Sequence, residues 1–268
     1  SQTADTLRAR RIRLSHHFAQ SGCNLLPSKF VPIISGGSNR NLIPVSPPGA
    51  DNAFLSHPSY WASDASHLVP CSAGDAIRWW KDAVTGTWYE QATSGSRLIA
   101  RQDATGKWYA EGTGLQRHPW VLMSGQSATN VTLAAAYRQY TAVNGAGLIG
   151  CLPRDLSFFT TTLKPASAAN NNIAAIASAS ADSLNTDYRN IVTSNGTTLT
   201  LYQNGSQVAQ SLADTTTGTL TNPAYAFGYS AYPSLYMPNG RLYGAVIFKT
   251  GSVNIATIDA SLRSYCTE

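Results

Sequence analysis

TLTLYQNGSQVA, residues 198–209, is the stretch that decides how the rest of the chain is read. Leu199 and Leu201 alternate with Thr200 and Tyr202, the period-2 pattern of a strand with one buried face, and the run halts at Asn204-Gly205 before a second polar-apolar run. Asn and Gly both accept positive φ, so the dipeptide closes a two-residue hairpin. Two strands alone are at best marginally stable in water, so the hairpin needs further strands to share a core.

The sequence supplies them. Short β-like runs separated by Gly, Asn and Asp turns recur beyond Pro58, at 76–80, 87–91, 98–101, 107–111, 120–123, 131–140, 157–164, 173–179, 188–194, 224–229 and 241–249. Many short strands at this spacing predict a sandwich or barrel. One segment departs from the pattern: Val253, Ile255, Ile258 and Leu262 recur at helical spacing after Ser252, which reads as an N-cap, so a short helix is expected to close the chain. Two stretches, DAVTGTWYE (82–90) and DATGKWYAE (103–111), place a Thr-Gly turn before Trp-Tyr, and they read as two similar hairpins in one sheet.

Composition points the same way. The 268 residues are 43% hydrophobic and only 12% charged, enough apolar material for one large core and too few charges for helices laced by ion pairs. The net charge of +5 is concentrated in residues 1–57, where Arg8, Arg10, Arg11, Arg13, Lys29 and Arg40 face only Asp5 and Asp51. Pro32, Pro44, Pro47 and Pro48 break helices there and bar central strand positions. Residues 1–57 are therefore expected to form an extended basic arm that docks on a partner through Arg8, Arg10, Arg11 and Arg13, with residues 58–268 as the domain. The arm lacks interleaved aromatics and any DNA-reading motif, so nucleic acid is not the expected partner. No run approaches the roughly 18 apolar residues of a membrane span, and the first residues lack the apolar core of a signal peptide, so no membrane association and synthesis in a cytoplasm are expected.

Residues able to do chemistry are sparse. Cys23, Cys71, Cys151 and Cys266 contain no Cys-x-x-Cys pair, which argues against structural zinc and leaves either free thiols or a disulfide of undetermined pairing. His16, His17, His57, His67 and His118 lack paired metal spacing, and Asp64, Asp75, Asp82, Asp103 and Asp214 read mostly as turn caps, so no metal site is expected. There is no Gly-x-Ser-x-Gly elbow. Trp79 and Trp80 must point to opposite faces of a strand, which puts one of them in the core. Tyr229, Tyr232 and Tyr236 fall in or beside a Pro-containing loop, where a flat apolar ring with a hydroxyl suits a carbohydrate or protein ligand.

Taken in order, YWASDASHLVPCSAGDAIRWWKDAVTG (60–86), SRLIARQDATGKWYAEGTG (96–114), FFTTTLKP (158–165), LYQNGSQVA (201–209) and PNGRLYGAVIFKTG (238–251) resemble the concanavalin A-like, laminin-G-like jelly-roll family found in phage and bacterial surface proteins. Residues 124–155 do not fit the pattern readily. The resemblance implies an all-β antiparallel jelly-roll sandwich with a short C-terminal helix and an extended N-terminal arm, and it allows a loop-bound Ca²⁺. Retaining glucanases share the architecture, but they need two nearby carboxyl groups, and Glu90, Glu111 and Glu268 have no acidic neighbour at i+2 or i+4. The expectation is therefore a protein that is not an enzyme and needs no cofactor. It is a structural component of a bacteriophage virion (capsid, collar, tail or fibre), made in the host cytoplasm, held to other virion subunits by its arm and itself homo-oligomeric. The alternative is a lectin module that recognises host surface glycans.

Overall fold

The computed structural model describes residues 42–113, 120–123, 130–142, 146–151, 154–158, 165–169, 173–195, 197–211, 224–226, 239–250 and 252–266. Their strands are β1 (Asn52–Leu55), β2 (Trp61–Ala62), β3 (Trp79–Lys81), β4 (Trp88–Glu90), β5 (Ile99–Gln102), β6 (Trp108–Thr113), β7 (Trp120–Met123), β8 (Val131–Gln139) and β9 (Ala146–Cys151). There follow β10 (Arg154–Phe158), β11 (Pro165–Ala169), β12 (Ile173–Ala177), β13 (Asp187–Ser194), β14 (Leu199–Gln203), β15 (Ser206–Ser211), β16 (Ala224–Ala226) and β17 (Asn239–Phe248), then helix α1 (Ile255–Tyr265). All pairings are antiparallel. The largest sheet runs β15-β14-β13-β8-β17-β6-β5, a second runs β12-β11-β10-β9-β16-β7, and a small third runs β2-β3-β4. The expected all-β sandwich with a closing helix is the observed fold.

The hairpin at 204–205 forms as its chemistry demands. Asn204 (φ 49°) and Gly205 (φ 80°) both take left-handed conformations between β14 and β15, the backbone of a two-residue turn matched to strand twist. β8 and β17 lie side by side in the middle of the main sheet, and nearly every residue of both is buried. Alternation explains this, because each face of the sheet has its own core. On one side Leu133, Ala135 and Tyr137 pack with Leu148 and Ile149 of β9, Ile176 of β12 and the Trp61–Trp80 pair. On the other, the small Ala134 and Ala136, with Val246 and Phe248, receive Ile258, Leu262 and Tyr265 of α1. A strand covered on both faces shows a continuous apolar run in place of alternation.

The structure differs from the sequence reading at two places, the cap of the closing helix and the start of the sheet. The cap of α1 is Asn254, whose Oδ1 accepts the Thr257 N–H at 3.0 Å, in place of Ser252 two residues earlier. Residues 52–55, counted within the arm, form β1, which pairs with residues 244–247 of β17 beyond the point where β6 lets go; the compact unit containing the sandwich begins at Asn39. Buried Asp82 holds β1 in place. Its Oδ1 accepts from Ala53 N (3.0 Å) and Val84 N (2.9 Å), and its Oδ2 from Asn52 Nδ2 (2.6 Å) and Thr85 Oγ1 (2.8 Å), so this turn carboxylate also clamps a distant strand. The run read as one strand over 157–164 is β10 as far as Phe158; 159–164 lie outside the described residues. Cys71 and Cys266 are buried free thiols, so neither enters a disulfide, while Cys23 and the Cys151 side chain lie outside the description. Burial, with Asp75 and Asp64 adding to it, pushes the Cys71 thiol up to about 12.

Gly240 opens β17 where it meets β8, and a Cβ there would lie 1.9 Å from the Arg138 carbonyl oxygen, a backbone atom that cannot yield. Gly240→Ala is expected to cost about 3 kcal/mol, the upper end of overpacking penalties, in urea unfolding. Gly95→Ala, with nothing within 4 Å of the added methyl, is the control. Equal unfolding midpoints for the two variants would refute the strand contact.

Candidate functional site

The three-stranded sheet sorts its side chains by strand period. Trp80 points inward, is fully buried, packs edge-to-face on Trp61 with centroids 5.5 Å apart, and donates its Nε1–H to Leu55 O at 3.2 Å. Trp79 and Lys81 point the other way, and the register Trp79↔Glu90 and Lys81↔Trp88 places Trp88 and Glu90 on that same outer face, all four partly exposed. His67, from the loop between β2 and β3, joins them. Its ring stacks on Trp88 at 4.5 Å and 12° and meets Trp79 edge-on at 4.6 Å. To do so its backbone takes φ 59°, a conformation uncommon outside glycine and costly enough to need a local reason.

Charges border the aromatic trio. The Arg78 guanidinium lies 5.9 Å from the Trp79 centroid and pairs with Glu90 at 2.6 Å, and the Lys81 ammonium lies 5.9 Å from the Trp88 centroid. The Arg78–Glu90 pair is solvent-exposed and so adds little to stability, but it orients both side chains. His67 Nε2 and Trp79 Nε1 are shielded from solvent yet have no hydrogen-bond partner among the described residues, and the adjoining Leu68 (82% exposed) and Val69 (56%) stand out from the surface. Partly exposed π-faces with flanking charges on one small sheet suit a ligand that is part apolar and part hydroxyl.

A second polar cluster sits inside, on the core-facing side of the main sheet. The Tyr137 hydroxyl donates to Asp182 Oδ2, Gln203 Nε2 donates to Asp182 Oδ1 at 2.7 Å, and Asn190 Nδ2 donates to the Tyr137 oxygen at 2.6 Å. Burial raises the Asp182 carboxyl to about 6, although both donors favour its ionised form. The raised value means the folded state resists ionising it, so the cost is absent below about pH 4 and builds as pH climbs through 6. From that shift the cost is on the order of 2–3 kcal/mol. Asp182→Asn should remove this dependence: thermal unfolding from pH 4 to 7 is expected to show a gain in variant stability relative to wild type that grows from about pH 4 and levels off above about pH 6. A constant difference across that range would contradict it.

The residues singled out from sequence fare unevenly. Tyr229, Tyr232 and Tyr236, and Arg8, Arg10, Arg11 and Arg13, lie outside the described residues. Asp103 caps its own turn through Thr105 N and Lys107 N, Asp75 accepts Ser72 N, and His57 caps a 3-10 turn by accepting Ser59 N. Among the described residues no three His, Cys, Asp or Glu side chains gather as a metal site, and no helix is long and apolar enough to cross a membrane. The aromatic trio was missed as a unit, since only the register of β3 with β4 brings Trp79 and Trp88 to one face.

No protein-family model matches the chain, and no curated protein does. Solved structures with the same fold do. One is Trypanosoma rangeli sialidase in complex with sialic acid, with a TM-score of 0.52 and 14% identity over 84% of this chain. Another is the binding domain of Paraclostridial Mosquitocidal Protein 1, at 0.51 and 13% identity over 80% of this chain. The chain spans about a third of the sialidase (35%) and about half of the mosquitocidal structure (52%). The sialidase match overturns the expectation that the chain is not an enzyme. This sandwich occurs within glycosidase chains, and sialidases work with a tyrosine nucleophile, so a missing glutamate pair excludes only the glucanase type of chemistry.

Proposed function

We propose that this chain is a lectin-like β-sandwich that binds glycans at the outer face of its three-stranded sheet. The observation that carries the reading is the His67, Trp79 and Trp88 cluster: stacked rings held at the surface, with Lys81, Arg78 and Glu90 at their edge. One face of a sugar ring is lined by C–H groups and fits the electron-rich face of an indole, while its rim of hydroxyls meets charged and amide groups. The fold supports this reading, since similar structures include a sialidase bound to sialic acid and a domain described as a binding domain. On a glycan array presented at high valency, the wild type is expected to select a restricted set of sugars. Trp88→Ala should lose at least tenfold in affinity, and Lys81→Ala less. Equal binding by Trp88→Ala, or silence of the wild type across the array, would overturn the assignment.

The finer reading is display of this module on a tailed-phage particle, with the basic N-terminal segment gripping neighbouring subunits. The concentration of Arg8, Arg10, Arg11 and Arg13 in a segment almost without acids supports it, together with the resemblance to phage surface proteins. Removing residues 1–38 is expected to leave the sandwich folded by circular dichroism and to abolish incorporation into particles. Normal incorporation of the truncated chain would refute the anchor.

A further inference from the structure

The main sheet carries a second concentration of charge on the face that bears α1. A single register row crosses four strands there: Glu111 of β6 opposes Arg241 of β17, Arg241 opposes Arg138 of β8, and Arg138 opposes Asp187 of β13. Two arginines directly opposite each other on neighbouring strands repel, so the row is locally unfavourable unless something answers both charges. Arg138 is answered, with its Nε 2.5 Å from Asp187 Oδ1, the oxygen that also accepts the Tyr243 hydroxyl at 2.7 Å. Glu111 is engaged elsewhere, pairing with Arg101 at 2.7 Å. Arg241 has no carboxylate within 4.0 Å among the described residues. Two tyrosines hold it instead: its guanidinium carbon lies 4.4 Å from the Tyr109 ring centroid and its Nε donates to the Tyr140 hydroxyl at 2.8 Å.

We propose that Arg241 is the centre of an oxyanion subsite that takes a carboxylate group, separate from the aromatic face of the small sheet. Among the described residues, Arg101, Arg138 and Arg241 with Glu111 and Asp187 leave one unit of positive charge, which a single carboxylate neutralises. The hydrogen bond to Tyr140 occupies Nε, and the pair of Nη groups at the far edge of the guanidinium is the fork that binds a carboxylate through two parallel hydrogen bonds. The contact with the Tyr109 ring and the hydrogen bond to Tyr140 hold the guanidinium in place before any ligand arrives, which lowers the ordering cost of binding.

Titrating the full chain with glucuronate while following arginine and tryptophan side-chain N–H signals by NMR tests this. Parallel titrations use acetate, inorganic sulfate and glucose. Glucuronate and acetate are expected to shift the Arg241 signals saturably, glucose is expected to leave them in place, and sulfate, which is tetrahedral, to bind more weakly. Arg241→Gln should weaken glucuronate binding at least tenfold. Arg241→Lys, which keeps the charge without the fork, should recover only a small part, and Tyr140→Phe should fall between wild type and Arg241→Gln. Thermal unfolding of each variant separates loss of the subsite from loss of the fold. The proposal fails if glucuronate shifts the Trp79 and Trp88 indole signals in place of Arg241, if sulfate binds as well as the carboxylates, if Arg241→Lys binds like wild type, or if no anion shifts Arg241.

Discussion

Burial of β8 and β17 on both faces is the constraint from which the remaining architecture follows. A sheet whose central strands are covered on one side by a second sheet and on the other by a helix needs small side chains where the helix approaches. Ala134, Ala136 and Gly244 provide them; a Cβ on Gly244 would meet the Tyr265 ring at 3.2 Å. It also needs every backbone group of those strands to be paired, since water does not reach them. β17 meets that demand by sharing one edge between β6 and β1, which is why a strand from the Pro-rich N-terminal region is needed at all. Asp82 then makes β1 and the turn between β3 and β4 interdependent, so the sheet that carries the aromatic trio is tied to the centre of the main sheet through one carboxylate.

That dependence places the polar chemistry. With the middle of the main sheet committed to packing, the partly exposed aromatic and charged side chains among the described residues gather on its flanks and on the small sheet. The rings of both clusters are braced by other rings: Trp79 and Trp88 by His67, and Tyr109 by Tyr243, which it meets edge-to-face at 6.4 Å. A surface aromatic anchored in this way loses little conformational freedom when a ligand docks.

Much of this was legible in the sequence, and the gaps have physical causes. The hairpin at 204–205, the strands at 131–140 and 241–249 and the closing helix were readable because turn chemistry and periodicity are local properties. β1 was hidden by the prolines before it and by its own run of four buried residues, which looks the same whether a strand is covered on both faces or the segment is not a strand. β11 was hidden because it begins with Pro165 and is otherwise Ala and Ser, residues with little preference for strands. The candidate sites were the least legible part. His67 reaches Trp88, and Arg241 comes to oppose Arg138, only through strand register and a loop with positive φ, and neither is written at any one position of the chain.

Polar satisfaction separates scaffold from surface equipment. Asp82 is fully buried and accepts four hydrogen bonds, more than turn formation requires, so its role is completed inside the fold. Buried polar atoms left without partners stand out against a rule that most proteins obey closely. Trp61 Nε1 and the Gln139 amide are such atoms within the core, where isolated waters commonly serve. His67 Nε2 and Trp79 Nε1 are different, since their rings meet edge-on in a partly exposed cluster and His67 lies on a loop held in a costly backbone conformation. Folding alone gains nothing from nitrogens without a partner among the described residues or from a left-handed histidine. On the proposed glycan-binding reading, a ligand laid across the partly exposed rings gives the strained loop that carries His67 a use.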